Sequence, residues 1–210
     1  MTADRCAQAA DRLRALRERA QQAATASGRR LVFGEGNPCA DLVIVGEAPG
    51  AEEEEQGRPF VGPAGRLLTR LLAEVGLTRD QVYITNVVKH RPTAVVGGRV
   101  VNRPPRAAEI RADRPWLDEE LAIIRPRVIL CLGNIAARTL IGPHFRFAQD
   151  RGRWFTWPDG TRLLATYHPA WVLRQVGPAR DAALQTVRED LRRVKEYLAS
   201  LPPRQDAAAD

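Results

Sequence analysis

The stretch LVIVGEAPGAEEEEQGRPFV, residues 42–61, sets the narrowest limits on how this chain folds. Its first part is a continuous apolar run rich in β-branched residues, which is typical of a strand buried on both faces of a parallel sheet. The run stops at Gly46, so a loop begins where the strand ends. Ligands of open parallel sheets bind outside the carboxyl ends of the strands, and residues 47–60 are therefore the predicted site loop. An ordinary turn with a solvated acidic run is an equal alternative from this loop alone.

Length and charge favour one domain and a polyanionic partner. The 210 residues are enough for one sizeable core, and we expect a single domain over 1–210. The formal net charge of +7 comes almost wholly from arginine. It suits nucleic acid or an acidic membrane surface, although arginine richness also follows from coding bias. We see no apolar run long enough to span a bilayer and no leader pattern, and we expect a cytoplasmic protein, nucleoid-associated in a prokaryote.

The cysteines predict a reducing compartment. Cys6, Cys39 and Cys131 show no paired spacing, so we expect neither a disulfide framework nor a zinc site. Cys131 lies inside an apolar run and is predicted to be a small core hydrophobe.

Strand-like and helix-like patterns alternate along the chain. This order predicts an α/β protein, a three-layer αβα sandwich around a central, mainly parallel four-stranded sheet. Residues 91–105 have prolines, glycines and arginines without periodicity and are predicted to be an exposed loop, and residues 202–210 a frayed tail. Helices are predicted over about 3–27, 62–76, 106–124, 135–142 and 179–198, strands over 42–46, 82–90 and 128–133, and a hairpin over 153–167.

Three polar residues fall at the ends of different apolar runs: Glu47, Asn86 and His168. A parallel sheet brings these ends to one edge, where a carboxylate, an amide and an imidazole would share one crevice. Taken singly, each has a structural alternative, such as a loop histidine that caps a helix or a strand asparagine that satisfies backbone groups. Their convergence favours a catalytic site.

Five motifs follow one another along the chain: GEAPG (46–50), GRPFVGPAG (57–65), ITNVVK (84–89), RPRVILCLG (125–133) and YHPAWVLR (167–174). In this order they resemble the thermostable bacterial and archaeal type, or family 4, of uracil-DNA glycosylases, over roughly Leu31 to Leu198. The resemblance implies an αβα fold and a monofunctional DNA-repair hydrolase. Such an enzyme cleaves the N-glycosidic bond of deoxyuridine in DNA and leaves an abasic site.

One feature of that family is missing here. Its members hold a four-iron, four-sulfur cluster on four cysteines, whose positions correspond to the neighbourhood of Arg19 and Gln22, to His90 and to Asp113. None of these is cysteine, so we expect no cofactor and no metal. We expect Arg19, His90 and Asp113 to form a polar clamp in place of the cluster.

A related branch bonds covalently to the abasic sugar through a histidine in a basic insertion. The corresponding stretch here, VVGGRVVNRPP (residues 95–105), contains no histidine. The covalent activity of that branch is therefore not expected of this chain.

The resemblance implies four residues that recognise the base: Gly46, Ala48, Phe60 and Asn86. A glycosylase must flip the nucleotide into a pocket. Phe60 would stack on the uracil, with a core phenylalanine as the alternative. The amide of Asn86 offers an acceptor to N3–H and a donor to O4 of uracil, and cytosine reverses both roles.

Catalysis is assigned in the same way to Glu47 and His168. Cleavage leaves positive charge on the sugar and negative charge on uracil O2. His168 would donate to O2, and Glu47 would either supply negative charge near the sugar or handle the attacking water.

DNA contacts are predicted from charge and shape. The acidic run 52–55 is predicted to be a solvated helix or loop face, because four carboxylates would repel phosphates. An apolar wedge is expected from Trp171 or Leu173, since wedges between base steps favour kinking. The predicted phosphate contacts are Arg58, Lys89, Arg91 and Arg174.

Two function classes stay open. One is a uracil-DNA glycosylase, and the other is a catalytically weak relative that binds DNA lesions. In either case we expect a monomer whose partner is DNA, and no membrane partner. A Rossmann-type nucleotide enzyme is disfavoured, because GEAPGAEEEEQG lacks G-x-G-x-x-G and places acids where phosphates need donors.

Overall fold

A computed structural model describes residues 2–25 and 28–204. The last two residues of the predicted N-terminal helix and most of the predicted tail lie outside that part of the chain. The helices are α1 (Thr2–Thr25), α2 (Ala51–Gln56), α3 (Pro63–Glu74), α4 (Ala107–Ile124), α5 (Gly133–Leu140), α6 (Phe147–Asp150), α7 (Pro169–Arg174) and α8 (Gly177–Ser200). The strands are β1 (Glu35–Gly36), β2 (Leu42–Gly46), β3 (Tyr83–Asn86), β4 (Thr93–Val96), β5 (Arg99–Asn102), β6 (Val128–Leu132), β7 (Trp154–Thr156) and β8 (Arg162–Thr166).

The main sheet has six strands in the order β1-β3-β2-β6-β8-β7. The four central strands are parallel, and β1 and β7 pair antiparallel at the two edges. The α/β class, the mostly parallel sheet and the hairpin over 153–167 are confirmed. The predicted count of four strands is too low by two, because the edge strands β1 and β7 have only two and three residues and are too short to show a period.

Helices lie against both faces of this sheet, as the side-chain alternation of β2 shows. Leu42 and Ile44 enter a core that includes side chains of α3 and α8, and Val43 and Val45 enter a core that includes side chains of α4 and α5. Since neighbouring strand residues point to opposite faces, a strand apolar at every position is buried on both.

Residues 93–102 form a β-hairpin, so the loop predicted there is wrong. Strands β4 and β5 pair antiparallel as a separate two-stranded sheet. Gly97 and Gly98 join them with φ of 55° and 76°, and positive φ at both central residues is what a tight type I′ turn requires. The two strands were missed because each has only four residues and prolines and arginines flank their valines.

The cysteine prediction also needs correction, because Cys6 and Cys39 are joined by a disulfide. Their Cα atoms lie 5.4 Å apart although the residues are 33 apart in sequence. The link ties α1 to the segment before β2, a proximity that sequence spacing cannot reveal. Cys131 is buried in β6 as predicted, and its burial raises the pKa of the thiol.

The predicted polar clamp exists in part. His90 Nδ1 lies 3.0 Å from Asp113 Oδ2, which also accepts a 2.7 Å hydrogen bond from the backbone N–H of Lys89. Arg19 pairs with Glu119 of α4 instead of joining this group. The end of β3 and helix α1 are therefore each fastened to α4, by separate contacts. None of the helices among the described residues is long and apolar enough to cross a membrane.

Candidate active site

A cavity of about 1210 Å³ opens at the carboxyl ends of the parallel strands. Gly46 is in register with Asn86 and Leu132 with Thr166, so the residues that follow these strands share one edge. Glu47, Asn86 and His168 all line this cavity, as the sequence predicted. It is also lined by Ala48, Phe60, Trp171, Leu173 and Arg174.

Gly46 does not itself line the cavity, but it allows two lining residues, Phe60 and Asn86, to approach each other. A Cβ atom at this position would lie 2.4 Å from Phe60 Cζ and 2.5 Å from Asn86 Oδ1. No side chain fits between the ring and the amide. The strand therefore ends in glycine where the two predicted recognition groups approach each other.

Phe60 is held in an unusual conformation. Its φ of 53° lies in the left-handed region, which bulky residues rarely occupy and which costs about 1–3 kcal/mol. Arg79 fixes the local backbone by donating to the carbonyls of Pro59 at 2.9 Å and Phe60 at 3.0 Å. The ring packs with the core on one side and lies 5.8 Å from the His168 ring. Phe60 is thus both a core residue and a wall of the cavity.

Asn86 has a buried acceptor without a partner. No described residue donates a hydrogen bond to its Oδ1. An unsatisfied buried polar group costs about 1–3 kcal/mol, so such an atom indicates a donor that arrives with a ligand.

His168 is fixed as a neutral donor. It caps α7, and its Nδ1 accepts a 3.1 Å hydrogen bond from the backbone N–H of Ala170. Because Nδ1 accepts, the ring proton of the neutral form is on Nε2. Burial, with a smaller effect of Arg174, lowers the pKa of His168 to about 4. The imidazole is therefore uncharged near neutral pH.

Glu47 is a carboxylate in a partly dehydrated position. Its backbone carbonyl accepts from the Val88 N–H at 3.0 Å, which fixes the residue at the strand end. Burial raises the pKa of its carboxyl group, and the charge of Arg174 opposes this effect. A carboxylate that has lost part of its hydration interacts more strongly with charge that develops beside it.

The acidic run forms the short helix α2, as predicted for a helix face. Glu52 pairs with Arg66 at 3.0 Å and Glu54 with Arg91 at 3.3 Å. Glu53 accepts hydrogen bonds from the backbone N–H groups of Gly50, Val61 and Gly62 at 2.7–3.1 Å. It holds the two ends of the site loop together, a role that the sequence reasoning missed. The sequence signal was a glutamate three residues after Gly50, the position at which a helix capping box has Glu or Gln.

Lys89 was predicted to contact DNA phosphates, and this is wrong. Its side chain is fully buried and its ammonium group pairs with Glu120 of α4. The same group donates to Thr85 Oγ1 at 2.8 Å and to the Asn86 carbonyl at 2.7 Å. All of its donors are directed into the protein.

The predicted arginine contacts differ in position. Arg58 lies outside the cavity and forms a bidentate pair with Glu35 at 2.7 and 2.8 Å. Arg91 is mostly buried and bonds to Asn102 at 2.6 Å. Arg174 lines the cavity, so it is the best placed of the three for a phosphate beside the site.

The two predicted wedge residues both line the cavity but differ in exposure. Trp171 is 37 % exposed, and its ring stacks on Tyr167 with centroids 4.4 Å apart. Leu173 is partly buried against the core. Trp171 is therefore the more prominent apolar projection of the two.

Further lining residues were not predicted. Asn134 and Arg138 enter the cavity from α5, and Tyr167 and Arg103 from two loops. Asn134 follows the end of β6, so the rule that selected Glu47 would have found it.

The described residues do not fit an iron–sulfur cluster. His90 and Asp113 are bonded to each other, and Arg19 pairs with Glu119. Cluster ligation needs thiolates, yet two cysteines form a disulfide and Cys131 lies in the sheet. Among the described residues, no three histidine, cysteine, aspartate or glutamate side chains are grouped as metal ligands.

The fold and cavity define an α/β protein with a binding cavity at the carboxyl ends of its strands, lined by an aromatic ring, an amide and an imidazole. The family model described as "Uracil DNA glycosylase superfamily" matches residues 33–192. The chain belongs to this superfamily, which confirms the resemblance carried by the five motifs.

Curated relatives are similar over most of their length. A type-4 uracil-DNA glycosylase of Sulfurisphaera tokodaii is 41% identical over 82% of this chain and 76% of its own. A type-4 enzyme of Thermotoga maritima is 39% identical over 80% and 83%. A type-5 uracil-DNA glycosylase of Pyrobaculum aerophilum is 32% identical over 75% and 72%.

Proposed function

We propose that this protein is a uracil-DNA glycosylase that flips deoxyuridine out of DNA and hydrolyses its N-glycosidic bond. The observation that carries the proposal is the unpaired Asn86 Oδ1 beside Phe60, inside a cavity that also holds a neutral His168. Relatives covering most of the chain bear this activity in their names.

Base selection rests on the Asn86 amide. Its Oδ1 accepts from uracil N3–H, which satisfies the buried acceptor, and its Nδ2 donates to O4. Cytosine presents an acceptor at N3 and a donor at C4, so both contacts become repulsive. Phe60 covers one face of the base, and the absence of a side chain at Gly46 lets the Phe60 ring and the Asn86 amide lie close together.

Bond cleavage separates charge within the substrate, and each catalytic group stabilises one of the two charges. The C1′–N1 bond breaks with its electron pair on uracil, and a water oxygen bonds to C1′ while its proton is released. His168 Nε2–H donates to O2 of the departing anion, and Glu47 places negative charge near the sugar and orients the water. Neither step draws on a metal or cluster, and we propose that the protein works without one.

DNA reaches the site over the arginine-rich surface around the cavity. Arg174 contacts a phosphate beside the flipped nucleotide, and Trp171 occupies the gap in the stack. We propose that the protein does this as a monomer, within the helix-flanked αβα architecture of its family and in the cytoplasm.

The test is excision from a uracil-containing duplex, followed by alkali to cut the abasic site. We expect strand cleavage at the uracil and none in a matched thymine duplex. DNA binding without cleavage would contradict the proposal and favour a catalytically weak lesion-binding relative. Absorbance of the purified protein in the iron–sulfur region would contradict the absence of a cluster.

A further inference from the structure

The hairpin of β4 and β5 exposes an unusual amount of apolar surface. Exposure is 73% for Val95, 63% for Val96, 60% for Val100 and 38% for Val101. These are four of the six large hydrophobic side chains that are exposed in the described part of the chain. Val95 and Val100 are directly paired neighbours. Neighbouring exposed apolar side chains mark an interaction site more often than scattered single residues do.

The strand register shows which exposed valines lie on the same face of the hairpin as a cavity-lining residue. Val95 pairs with Val100, and Thr93 pairs with Asn102. Paired residues, and residues two apart on a strand, lie on the same face, so Val95, Val100 and Asn102 share one. Asn102 lines the active-site cavity. The Val95–Val100 pair therefore continues the cavity rim outward.

The base of the hairpin is held firmly beside the site. Arg103 bonds to both carboxylate oxygens of Glu109 at 2.7 Å and donates to the Thr93 carbonyl at 2.9 Å. Its backbone N–H donates to the Pro92 carbonyl at 3.1 Å. The valine pair thus projects from an anchored base at a set position relative to the cavity.

The charge around the hairpin suits a polyanion. Residues 91–106 contain four arginines and no acidic residue. Arg99 and Arg106 are both exposed. An apolar ribbon flanked by cations matches DNA, in which phosphates border a groove whose floor offers apolar contacts, and a two-stranded ribbon fits such a groove.

We propose that this hairpin is a second DNA-contacting element, which packs Val95 and Val100 into a groove of the duplex beside the flipped nucleotide. The inference rests on the proposed function, since it assumes that DNA occupies the cavity. Strands β3 and β8, which precede the hairpin and Trp171, are three positions apart in the sheet, or about 14 Å. The hairpin and Trp171 therefore follow the two outermost strands of the parallel set, and in this proposal they contact the duplex on either side of the target.

The valine pair has a matched control on its own hairpin. Val95→Thr with Val100→Thr keeps side-chain shape and strand propensity while adding hydroxyl groups to the face next to the cavity. Val96→Thr with Val101→Thr makes the same change on the opposite face, because Val96 and Val101 pair with Arg99 and Ala94.

Affinity is measured by fluorescence anisotropy on undamaged duplex and on the corresponding single strand. We expect the Val95/Val100 variant to bind duplex roughly 5- to 10-fold more weakly, since apolar contact is lost. We expect less than a twofold change on single strands, which have no groove, and an unchanged salt dependence, because no cation is removed. The Val96/Val101 variant should bind both DNAs like the parent.

Unchanged duplex affinity of the Val95/Val100 variant, or equal losses from both faces, would overturn the inference. So would a change in the sedimentation of the free protein without a change in DNA affinity, which would make the hairpin a contact between copies of the chain. All binding uses undamaged DNA, so the result does not depend on excision. If the unchanged protein fails to release uracil, the proposed function is refuted. The DNA affinities of the two double variants would still decide whether the hairpin contacts DNA.

Discussion

Two polar regions lie within a few residues of each other, at the end of β3 and just after it, and differ in how their groups are paired. At the strand end, Asn86 Oδ1 is buried without a donor from any described residue. Three residues on, Lys89 is equally buried, but its ammonium group contacts Glu120, Thr85 and a backbone carbonyl. Burial is the same in both, so pairing is what separates a candidate binding group from a structural one.

The paired region extends through α4. Glu120 also accepts from Tyr83 Oη at 2.9 Å, from Thr85 Oγ1 at 2.8 Å and from the Gly34 N–H at 2.9 Å. This network links the segment before β2, strand β3 and helix α4 through buried side chains. We interpret it, with the disulfide and the His90–Asp113 pair, as what holds α1, β3 and α4 together here.

The largest effect is expected from breaking the paired region. Lys89→Met leaves Glu120 buried without its cation and should lower the free energy of unfolding by about 3–5 kcal/mol. The measurement is chemical denaturation. Adding Glu120→Gln should recover part of the loss, because the uncompensated charge is removed. The folded fraction should release uracil at the parental single-turnover rate, and a much slower rate would show that Lys89 belongs to the active site.

The unpaired region should respond in the opposite way. His168→Ala should lower the single-turnover rate by roughly 10²–10³, the effect of removing one preorganised donor, while DNA affinity stays near its parental value. The melting temperature should fall only by the loss of the α7 cap, which is worth about 0.5–2 kcal/mol. His90→Ala is the matched control, since it removes an imidazole from the paired region. It should lower stability and keep the rate. A normal rate for His168→Ala at saturating enzyme would exclude it from catalysis.

Glu47 and His168 act on one transition state in the proposed mechanism. Glu47→Gln keeps the shape and the hydrogen-bonding capacity but removes the charge, so it should also slow cleavage. The double variant should lose less than the product of the two single effects. Full multiplicative losses would mean that the two groups serve separate steps.

Asn86 should respond to a change of charge rather than of size. Asn86→Asp sets an acceptor against uracil O4 and should cost about 1–3 kcal/mol in selectivity, measured as the ratio of single-turnover rates on uracil and cytosine. We expect the rate of uracil excision to fall more than the rate of cytosine excision, so that the ratio of the two rates decreases. Unchanged uracil excision would assign Asn86 to the structural class together with Lys89.

The smallest expected effect is on pH dependence. Burial raises the pKa of Glu47, so the rate should fall as acid protonates this carboxylate at a pH above its ordinary titration. Arg174 lowers that pKa, and Arg174→Gln should therefore move the fall to higher pH. Arg58→Gln, which removes a cation paired with Glu35, should leave the profile unchanged. An identical profile for Arg174→Gln and the parent would contradict this assignment.

Local pattern alone determined the central part of this protein. The β2 run, the helix after Pro63 and the polar residues at three strand ends predicted a parallel sheet with Glu47, Asn86 and His168 around one crevice, and the structure brings them together. These features follow from side-chain periodicity and from the geometry of parallel sheets, which a sequence displays directly.

Tertiary structure decided the features that depend on a distant partner. Lys89 turns inward because Glu120 lies 31 residues away in sequence and next to it in space. Cys6 meets Cys39 only because α1 packs beside the segment before β2, and the short edge strand β1 exists only because β3 offers it backbone partners. No local pattern specifies such pairings, since the energy of a buried charge, a thiol or an edge strand is set by what folding places beside it.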